Sequence, residues 1–293
     1  MKLAHYVKNG TVRVGMVEGG RVFDLAETVS EAGTIDQILA SDALDTLQKA
    51  ERKITTGPVS VPVESTIFHT PILNPEKILL VARNYLSHNV EQNAKPPSEP
   101  YFFMKTRNAL IGSGEPILAP KISRRVDWEG ELAVIIGKTG KNIRRTDAMD
   151  HVAGYTVSND ISFRDLQFST RSDNAAVALG SNWVKGKNLD SSFSLGPWLV
   201  TKDEVPDPQN LELSLKVNAG LKQHSNTREM IFKVDTLIEY VSAGMTLKHG
   251  DIISTGTPEG VAEFTGEPFL KNGDVVEVTI NGIGTLRNPV RSE

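Results

Sequence analysis

The chain has 293 residues, of which 39% are hydrophobic and 23% are charged, so it can form a packed core and is not broadly disordered. Its 32 basic and 36 acidic side chains give a net charge of −4 without a basic stripe, and we expect no nucleic-acid partner. The absence of cysteine excludes disulfides, thiolate metal ligands and a cysteine nucleophile, and it fits a reducing compartment.

The sequence carries no membrane or export signal. Its apolar runs, such as Leu132 to Ile136, do not exceed five residues, far fewer than the ~20 residues that a spanning helix needs. The first residues lack a hydrophobic segment of signal-peptide length. We therefore expect a soluble cytoplasmic protein with no membrane partner.

The sequence of the N-terminal part predicts a small α+β unit. Apolar residues alternate over residues 12–16, which favours a strand, and Gly19-Gly20 then predicts a turn before a returning strand at Val22-Phe23. Thr34 is suited to cap a helix, because apolar residues follow it at helical spacing. A second amphipathic helix is predicted over residues 44–50.

A proline-rich stretch between Gly57 and Pro75 indicates a boundary, since proline ends regular elements. We divide the chain into a small N-terminal domain, residues 1–70, and a larger domain, residues 71–293. The larger part has one clear helix, near residues 234–243. Its predicted strands are Ile78 to Val81, Leu132 to Ile136, Tyr155 to Val157, Leu211 to Val217, Asp251 to Thr255 and Val275 to Ile280. The predicted fold class is α+β and β-rich.

Three carboxylates are candidate metal ligands. Glu129 and Glu131 would share one face of a strand, because side chains alternate with period two. Their mutual repulsion would be relieved by a hard cation with oxygen ligands, such as Mg²⁺, Mn²⁺ or Ca²⁺. Asp160 follows another predicted strand and would complete the set. The alternatives are a solvated edge strand for the glutamates and a helix cap for Asp160.

His88 and Glu91 form a candidate acid–base pair. On a helical turn, residues three apart are neighbours. A carboxylate beside an imidazole raises its basicity and orients it, which suits a general base acting on water. The alternative is an ordinary contact between a surface histidine and a glutamate.

Two loop-like segments complete the candidates: Gly186-Lys187 and residues 255–260. A lysine and a hydroxyl-rich turn are suited to bind an anionic group, although such turns often have no function. The sequence contains no phosphate-binding loop, no G-x-S-x-G nucleophile elbow and no H-E-x-x-H metal motif.

Taken together and in this order, these segments resemble the fumarylacetoacetate hydrolase family. The resemblance covers roughly residues 75–290. It rests on Val81 to Tyr85 with the stretch to Glu91, Trp128 to Leu132, Asn159 to Ser162, Arg164 to Gln167, Trp183 to Asp190, Leu195 to Trp198, Gly250 to Ile253 and Thr255 to Gly260.

The resemblance implies a mixed β-roll catalytic domain, preceded by a small N-terminal α+β domain, in a homodimer. It implies a divalent cation, Mg²⁺ or Mn²⁺, and substrates that are 2-oxo or 1,3-dicarbonyl acids. By position it implies metal ligands at Glu129, Glu131 and Asp160, catalytic groups at His88, Glu91 and Lys187, and substrate-binding groups at Arg164, Gln167 and Thr257.

The sequence departs from the family pattern at Ala82, where glycine is common, at Phe163, where a small residue is common, and at Asn188, where serine is common. The segment 168–182 is longer than usual. These differences concern which substrate fits.

Our first expectation is a metal-dependent hydrolase that cleaves a C–C bond in an acylpyruvate-like or fumarylpyruvate-like 1,3-dicarbonyl 2-oxo acid. The alternative is an isomerase or decarboxylase of a related 2-oxo acid in aromatic-compound catabolism, similar to 5-carboxymethyl-2-hydroxymuconate isomerase or oxaloacetate decarboxylase. A non-enzymatic binding module is a third class. It would need neither the acid–base pair nor three carboxylates, so their joint presence argues against it.

Overall fold

The structure is a computed structural model that describes residues 1–25, 33–41, 43–56, 60–168 and 181–293. The strands in these ranges are β1 Lys2–Lys8, β2 Thr11–Glu18, β3 Arg21–Asp24, β4 Ser60–Pro62, β5 Ile78–Ala82, β6 Tyr101–Lys105, β7 Leu110–Ile111, β8 Ile117–Ala119, β9 Val126–Asp127, β10 Gly130–Ile136, β11 Val152–Asp160, β12 Ser162–Phe163, β13 Phe193–Thr201, β14 Glu212–Val217, β15 Gly220–Asn226, β16 Ile252–Ser254, β17 Val275–Ile280 and β18 Gly284–Ser292. The α-helices are α1 Ile35–Ala40, α2 Leu44–Thr55, α3 Leu86–Glu91, α4 Arg164–Gln167, α5 Trp183–Lys187, α6 Val234–Ser242 and α7 Ala262–Thr265. Short 3-10 turns span Val63–Ser65, Arg107–Ala109, Arg145–His151, Lys202–Glu204 and Thr227–Glu229.

An eleven-stranded sheet runs through the molecule in the order β4-β3-β2-β1-β13-β11-β10-β16-β5-β6, and β7 pairs with β13 beside this path. Its pairs are antiparallel except for β16 with β5 and β7 with β13. A five-stranded sheet has the order β15-β14-β17-β18-β8, and β9 pairs with β12. The predicted class, α+β and β-rich, is confirmed.

The core lies around the central strands of the large sheet. Every residue of β10 and of β11 is buried, as expected for a short continuous apolar run in a fully covered strand. Helix α6 adds an apolar face at helical spacing, with Val234, Leu237, Ile238 and Val241 buried. This packing fixes the ends of β10 and β11, where the candidate site is located.

The N-terminal elements follow the sequence prediction closely. Strands β2 and β3 form the predicted hairpin, and the Thr34 side chain accepts a hydrogen bond from the backbone N–H of Gln37 at the start of α1. Strand β1 pairs with β13 at Lys2 and Leu3, so the first strands extend the large sheet. The division into domains at residue 70 stays a prediction.

One local prediction was wrong. The sequence indicated a loop at Gly186-Lys187, but both residues belong to helix α5, which begins after Asn182, whose side chain accepts the N–H of Lys185. The glycine permits this because a Cβ there would lie 2.4 Å from the Gln167 side chain. Among the described residues, no helix is long and apolar enough to cross a membrane.

Candidate active site

Three acidic side chains meet where β10 begins and β11 ends. Gly130 is paired with Asn159, so Glu129 and Glu131 lie beside Asp160, whose N–H donates to the carbonyl oxygen of Glu129 at 2.9 Å. One carboxylate oxygen from each of the three residues lies within 4.8 Å of the others. All three side chains are buried. The structure therefore brings the three predicted metal ligands together.

We call Glu129, Glu131 and Asp160 the carboxylate cluster. Two buried lysines contact it. The Nζ atom of Lys187 donates to Glu129 Oε2 at 2.7 Å and to Asp160 Oδ2 at 2.6 Å. The Nζ atom of Lys105 lies 2.8 Å from Asp160 Oδ1. Their positive charges offset part of the cost of burying carboxylates, which is high for unpaired charges.

The pKa values of the cluster diverge. Burial raises the pKa of Glu131 well above its usual range, and the neighbouring charges of Asp160 and Glu129 raise it further. Burial also raises the pKa of Asp160, although the two lysines oppose this effect. The pKa of Glu129 is lowered, because Lys187 and Arg164 outweigh the effect of burial.

The carboxylate cluster fits a hard divalent cation. All of its donor atoms are carboxylate oxygens, which is the donor set that Mg²⁺ and Mn²⁺ prefer. Glu131 is oriented through one oxygen, since its Oε2 accepts hydrogen bonds from Ser254 Oγ at 2.5 Å and from the Gly256 N–H at 2.9 Å. A cation between the three residues would relieve the repulsion by Asp160 and Glu129, which adds to the effect of burial in raising the pKa of Glu131.

The predicted acid–base pair forms on helix α3. The Nδ1 atom of His88 lies 2.6 Å from Glu91 Oε1, and the Nε2 atom lies 2.6 Å from the side-chain nitrogen of Gln92. Glu91 is itself fixed by the N–H of Gly260, which donates to its Oε2 at 3.0 Å. If Nδ1 carries the proton that Glu91 accepts, Nε2 has a lone pair, which here accepts the Gln92 side-chain N–H; a general base needs this lone pair, so Gln92 must release it when substrate binds.

Arg164 donates hydrogen bonds to three neighbouring side-chain oxygens. Its Nε donates to Asp127 Oδ2 at 2.8 Å, its Nη2 to Glu129 Oε1 at 2.6 Å and its Nη1 to Gln167 Oε1 at 3.2 Å. Asp127 also accepts the N–H groups of Ala262 and of Glu263 at the start of α7. The guanidinium therefore joins the carboxylate cluster, through Asp127, to the start of helix α7.

Thr257 lies just after β16, the strand that pairs with β10. Its hydroxyl donates to the carbonyl oxygen of Gly130 at 3.0 Å and accepts from Gln223 Nε2 at 2.9 Å. The other side-chain atom of Gln223, Oε1, accepts the N–H of Gly130 at 2.9 Å. Gln223 thereby links the threonine to the start of the strand that carries Glu131.

These groups surround a cavity of about 410 Å³, within the range of small-molecule sites. Seven of the nine predicted site residues line it. The other two, Glu91 and Asp160, contact the lining residues His88 and Lys187 respectively. Its lining is Val81, Ala82, Arg83, His88, Gln92, Ala94, Phe103, Glu129, Glu131, Arg164, Gln167, Phe168, Ser181, Trp183, Lys187, Thr257 and Phe264. Most of segment 168–182, residues 169–180, lies outside the described residues.

Sequence reasoning missed four side chains that support the site: Lys105, Asp127, Gln223 and Ser254. Lys105 left one signal, because it ends the apolar stretch Tyr101 to Met104 with a single charge, which indicates a buried partner. Asp127 directly precedes the motif Trp128 to Leu132, but its hydrogen bonds to α7 join residues more than 130 positions apart in the chain. Gln223 and Ser254 carried no local signal.

Buried titratable side chains around one cavity are typical of enzyme active sites. Residues 77–291 match the model of the fumarylacetoacetate hydrolase C-terminal domain, and the chain belongs to the fumarylacetoacetate hydrolase family. It is 41% identical over 288 residues to a mitochondrial oxaloacetate tautomerase of Xenopus laevis, covering 95% of this chain and 86% of that protein. A mitochondrial oxaloacetate tautomerase of Bos taurus is 45% identical over 246 residues, covering 84% of this chain and 76% of that protein.

Solved structures agree with the family. Maleylpyruvate hydrolase from Sphingobium sp. SYK-6, in complex with manganese(II) and pyruvate, is 29% identical with a TM-score of 0.80, covering 100% of this chain and 99% of that chain. The family assignment from the sequence is thus confirmed.

Proposed function

We propose that this protein is a divalent-metal-dependent enzyme that interconverts the keto and enol forms of an oxaloacetate-like 2-oxo dicarboxylic acid. The observation that carries the proposal is the buried carboxylate cluster beside the His88–Glu91 pair, at one cavity. The relatives with 41% and 45% identity are oxaloacetate tautomerases, which supports this reaction over others of the family.

Glu129, Glu131 and Asp160 would hold the cation, with Mg²⁺ and Mn²⁺ as candidates. A bound cation supplies a Lewis acid that polarises the 2-oxo group and lowers the cost of negative charge on its oxygen. Lys187 adds to this stabilisation. Its neighbours Asp160 and Glu129 raise its pKa although burial opposes them, so it remains an ammonium group that donates hydrogen bonds.

His88 is the proposed proton carrier. In the keto-to-enol direction its Nε2 takes a proton from C3, the C2–C3 double bond forms, and the former keto oxygen takes up a proton from solvent. In the other direction His88 returns the proton to C3 while the enol oxygen loses its own. Glu91 keeps His88 in the required tautomer, and Arg164, Gln167 and Thr257 are proposed to contact the substrate.

Hydrolysis of a C–C bond, our first expectation from the sequence, is the second candidate. The His88–Glu91 pair also suits the activation of water, and maleylpyruvate hydrolase is a structural relative. Water would add to the distal carbonyl carbon, the bond from that carbon to C3 would break, and C3 would take up a proton. The products would be a carboxylic acid and pyruvate.

A substrate panel separates the two. The purified protein is given Mg²⁺ or Mn²⁺ with enol oxaloacetate or with acetylpyruvate, and loss of the enol absorbance is followed while mass spectrometry identifies the products. We expect faster enol–keto conversion of oxaloacetate with no change of mass, dependent on metal and on His88. Acetate and pyruvate from acetylpyruvate, without any effect on oxaloacetate, would instead establish the hydrolase.

A further inference from the structure

Three cationic side chains line the cavity, and they differ in their partners: Lys187, Arg164 and Arg83. The first two donate hydrogen bonds to carboxylates of the protein. Arg83 donates its Nε to the Asn89 side-chain oxygen at 3.0 Å and its Nη2 to the carbonyl oxygen of Lys95. Both acceptors are neutral, so within the described ranges Arg83 is a cavity cation without a carboxylate partner.

The guanidinium of Arg83 retains donors for a ligand. It carries five N–H groups, of which the two contacts use one each. Its planar fork matches the two oxygens of a carboxylate, which a lysine does not. An uncompensated charge of this kind, half-buried beside a cavity, is suited to an anionic group of a ligand.

The backbone at Arg83 is held in a conformation that most residues avoid. Its φ is +59°, in the left-handed region where glycine is the favoured residue. The turn is fixed by Asn84, whose side-chain nitrogen donates to the carbonyl oxygens of Thr255 and Phe232, and by Asn89, which donates to the Arg83 carbonyl oxygen. Such strained positions cluster at ligand sites, where the surroundings determine them.

Arg83 also lies between the cavity and a neighbouring groove. Together with Ala82 and Trp183 it lines both the cavity of the carboxylate cluster and a neighbouring groove of about 690 Å³. The rest of that groove is formed by Pro97 to Phe102 and by Tyr240. A ligand with its 2-oxo acid head at the carboxylate cluster therefore has a cation near the side where its chain would leave.

We propose that Arg83 binds the distal carboxylate of the substrate and selects dicarboxylic over monocarboxylic 2-oxo acids. This inference rests on the proposed function, because it assumes a 2-oxo acid head at the carboxylate cluster. It assigns a specificity role to a residue that touches the tail of the substrate and takes no part in proton transfer.

The competing explanation is a structural role. The Arg83 side chain bonds Asn89 on helix α3 and the carbonyl oxygen of Lys95, so it also connects the helix that carries His88 to the segment that follows. Loss of that connection would affect every ligand alike. Loss of a carboxylate contact would affect only ligands that have the second carboxylate.

The test compares oxaloacetate with 2-oxobutanoate, four-carbon 2-oxo acids that end in a carboxylate and in a methyl group. Dissociation constants are measured by calorimetry on the Mg²⁺-loaded protein, together with KM and kcat for tautomerisation. We expect Arg83→Gln to weaken oxaloacetate binding about 10–100-fold, the usual effect of losing a charge-assisted hydrogen bond, and to leave 2-oxobutanoate binding and kcat little changed. Arg107→Gln is the matched control, since Arg107 is exposed and bonds Asn74.

Equal weakening of both acids, or no effect on either, would overturn the proposal. Arg83→Lys keeps the charge and serves if the glutamine variant does not fold. A preference for the diacid that is smaller than in the wild type supports the proposal, because lysine lacks the planar fork, and a folded variant with the full wild-type preference contradicts the proposal. A wild-type protein that shows the Arg83-dependent preference but does not tautomerise oxaloacetate would refute the proposed function alone.

Discussion

The ammonium nitrogen of Lys105 lies 2.8 Å from Oδ1 of Asp160, and both side chains are completely buried. Burial lowers the pKa of Lys105 to about 8, although the charge of Asp160 acts in the opposite direction. Lys105 also donates to the carbonyl oxygens of Ile161 and Ser192. It thus fixes one oxygen of Asp160, while the other oxygen contacts Lys187 in the carboxylate cluster.

Replacing Lys105 with methionine should destabilise the metal-free protein by about 3–5 kcal/mol, because it leaves a buried carboxylate with one cation fewer. Urea unfolding measures the change. Asp160→Asn in the same chain should recover part of the loss, since it removes the uncompensated charge. Lys248→Met is the control, because Lys248 pairs with Glu76 on the surface, where pairs contribute about 0–1 kcal/mol. A Lys105→Met protein as stable as wild type would contradict this view of the pair.

His88→Ala and Glu91→Ala should each lower kcat by about 10²–10⁴-fold, the usual size of a general-base effect. Since Glu91 acts through His88 at 2.6 Å, the double variant should be little worse than either single variant. Steady-state kinetics on all four proteins checks this. Losses that multiply cleanly would mean that the two residues work independently.

Gly260→Ala should disturb the same pair from a distance. An added Cβ would lie 2.1 Å from the carbonyl oxygen of Lys222, so the backbone must move, and the Gly260 N–H that fixes Glu91 moves with it. We expect kcat to fall by about 10²-fold, as for other small misplacements near a reacting group, while Mn²⁺ binding is unchanged.

Gly266→Ala is the matched control for this variant. Gly266 also has a left-handed φ, +75°, but its Cβ position is open, so it carries the backbone strain without the clash. Equal kcat losses in the two variants would show that the anchor of Glu91 is irrelevant.

The stability of the N-terminal part should decrease in acid because of His5. This buried side chain accepts the N–H of Ile35 at its Nε2 and bonds the Thr70 carbonyl oxygen at its Nδ1, which requires the neutral ring. Burial lowers its pKa from 6.5; the Thr70 bond and the charge of Asp36 oppose this effect, and His69 adds to it.

The unfolded chain therefore binds more protons than the folded protein at acid pH, and the contribution of His5 to stability, complete above about pH 6.5, is lost as the pH falls. When the pH is lowered below about 6.5, the melting temperature should fall less steeply in His5→Gln than in the wild type. His249→Gln, at an exposed position, is the control. An identical pH profile for wild type and His5→Gln would refute this role.

Local patterns predicted the elements well, because burial and periodicity act over a few residues. The strand at Leu132 to Ile136, the helix near residues 234–243 and the cap at Thr34 all form as expected. The same-face placement of Glu129 and Glu131 followed from the period of a strand, and the structure places Asp160 beside them. Lys187 and the turn that contains Thr257 were candidates for anion binding, and the family resemblance supplied their roles and added Arg164.

The rest depended on contacts between distant parts of the chain. Lys105 ends β6 and Asp160 ends β11, so the two residues are 55 positions apart in the chain and three strands lie between theirs in the sheet; only the tertiary structure brings them into contact. Gln223 reaches Thr257 from the other sheet. Helix α5 was mistaken for a loop because Gly186 reads as a turn residue, whereas its small size serves the contact with Gln167. Assembly as a homodimer stays a prediction, which light scattering on the purified chain tests.

The central claim is that a cation at Glu129, Glu131 and Asp160 makes proton removal from C3 feasible for His88. Proton NMR of oxaloacetate in deuterated water measures the exchange at C3 directly, with Mg²⁺ as the diamagnetic cation. The account predicts that the wild-type protein with Mg²⁺ accelerates the exchange, and that chelation, Glu131→Gln or His88→Ala returns it to the uncatalysed rate while the protein stays folded. Exchange that is equally fast in the metal-free protein, or in folded Glu131→Gln, would contradict it.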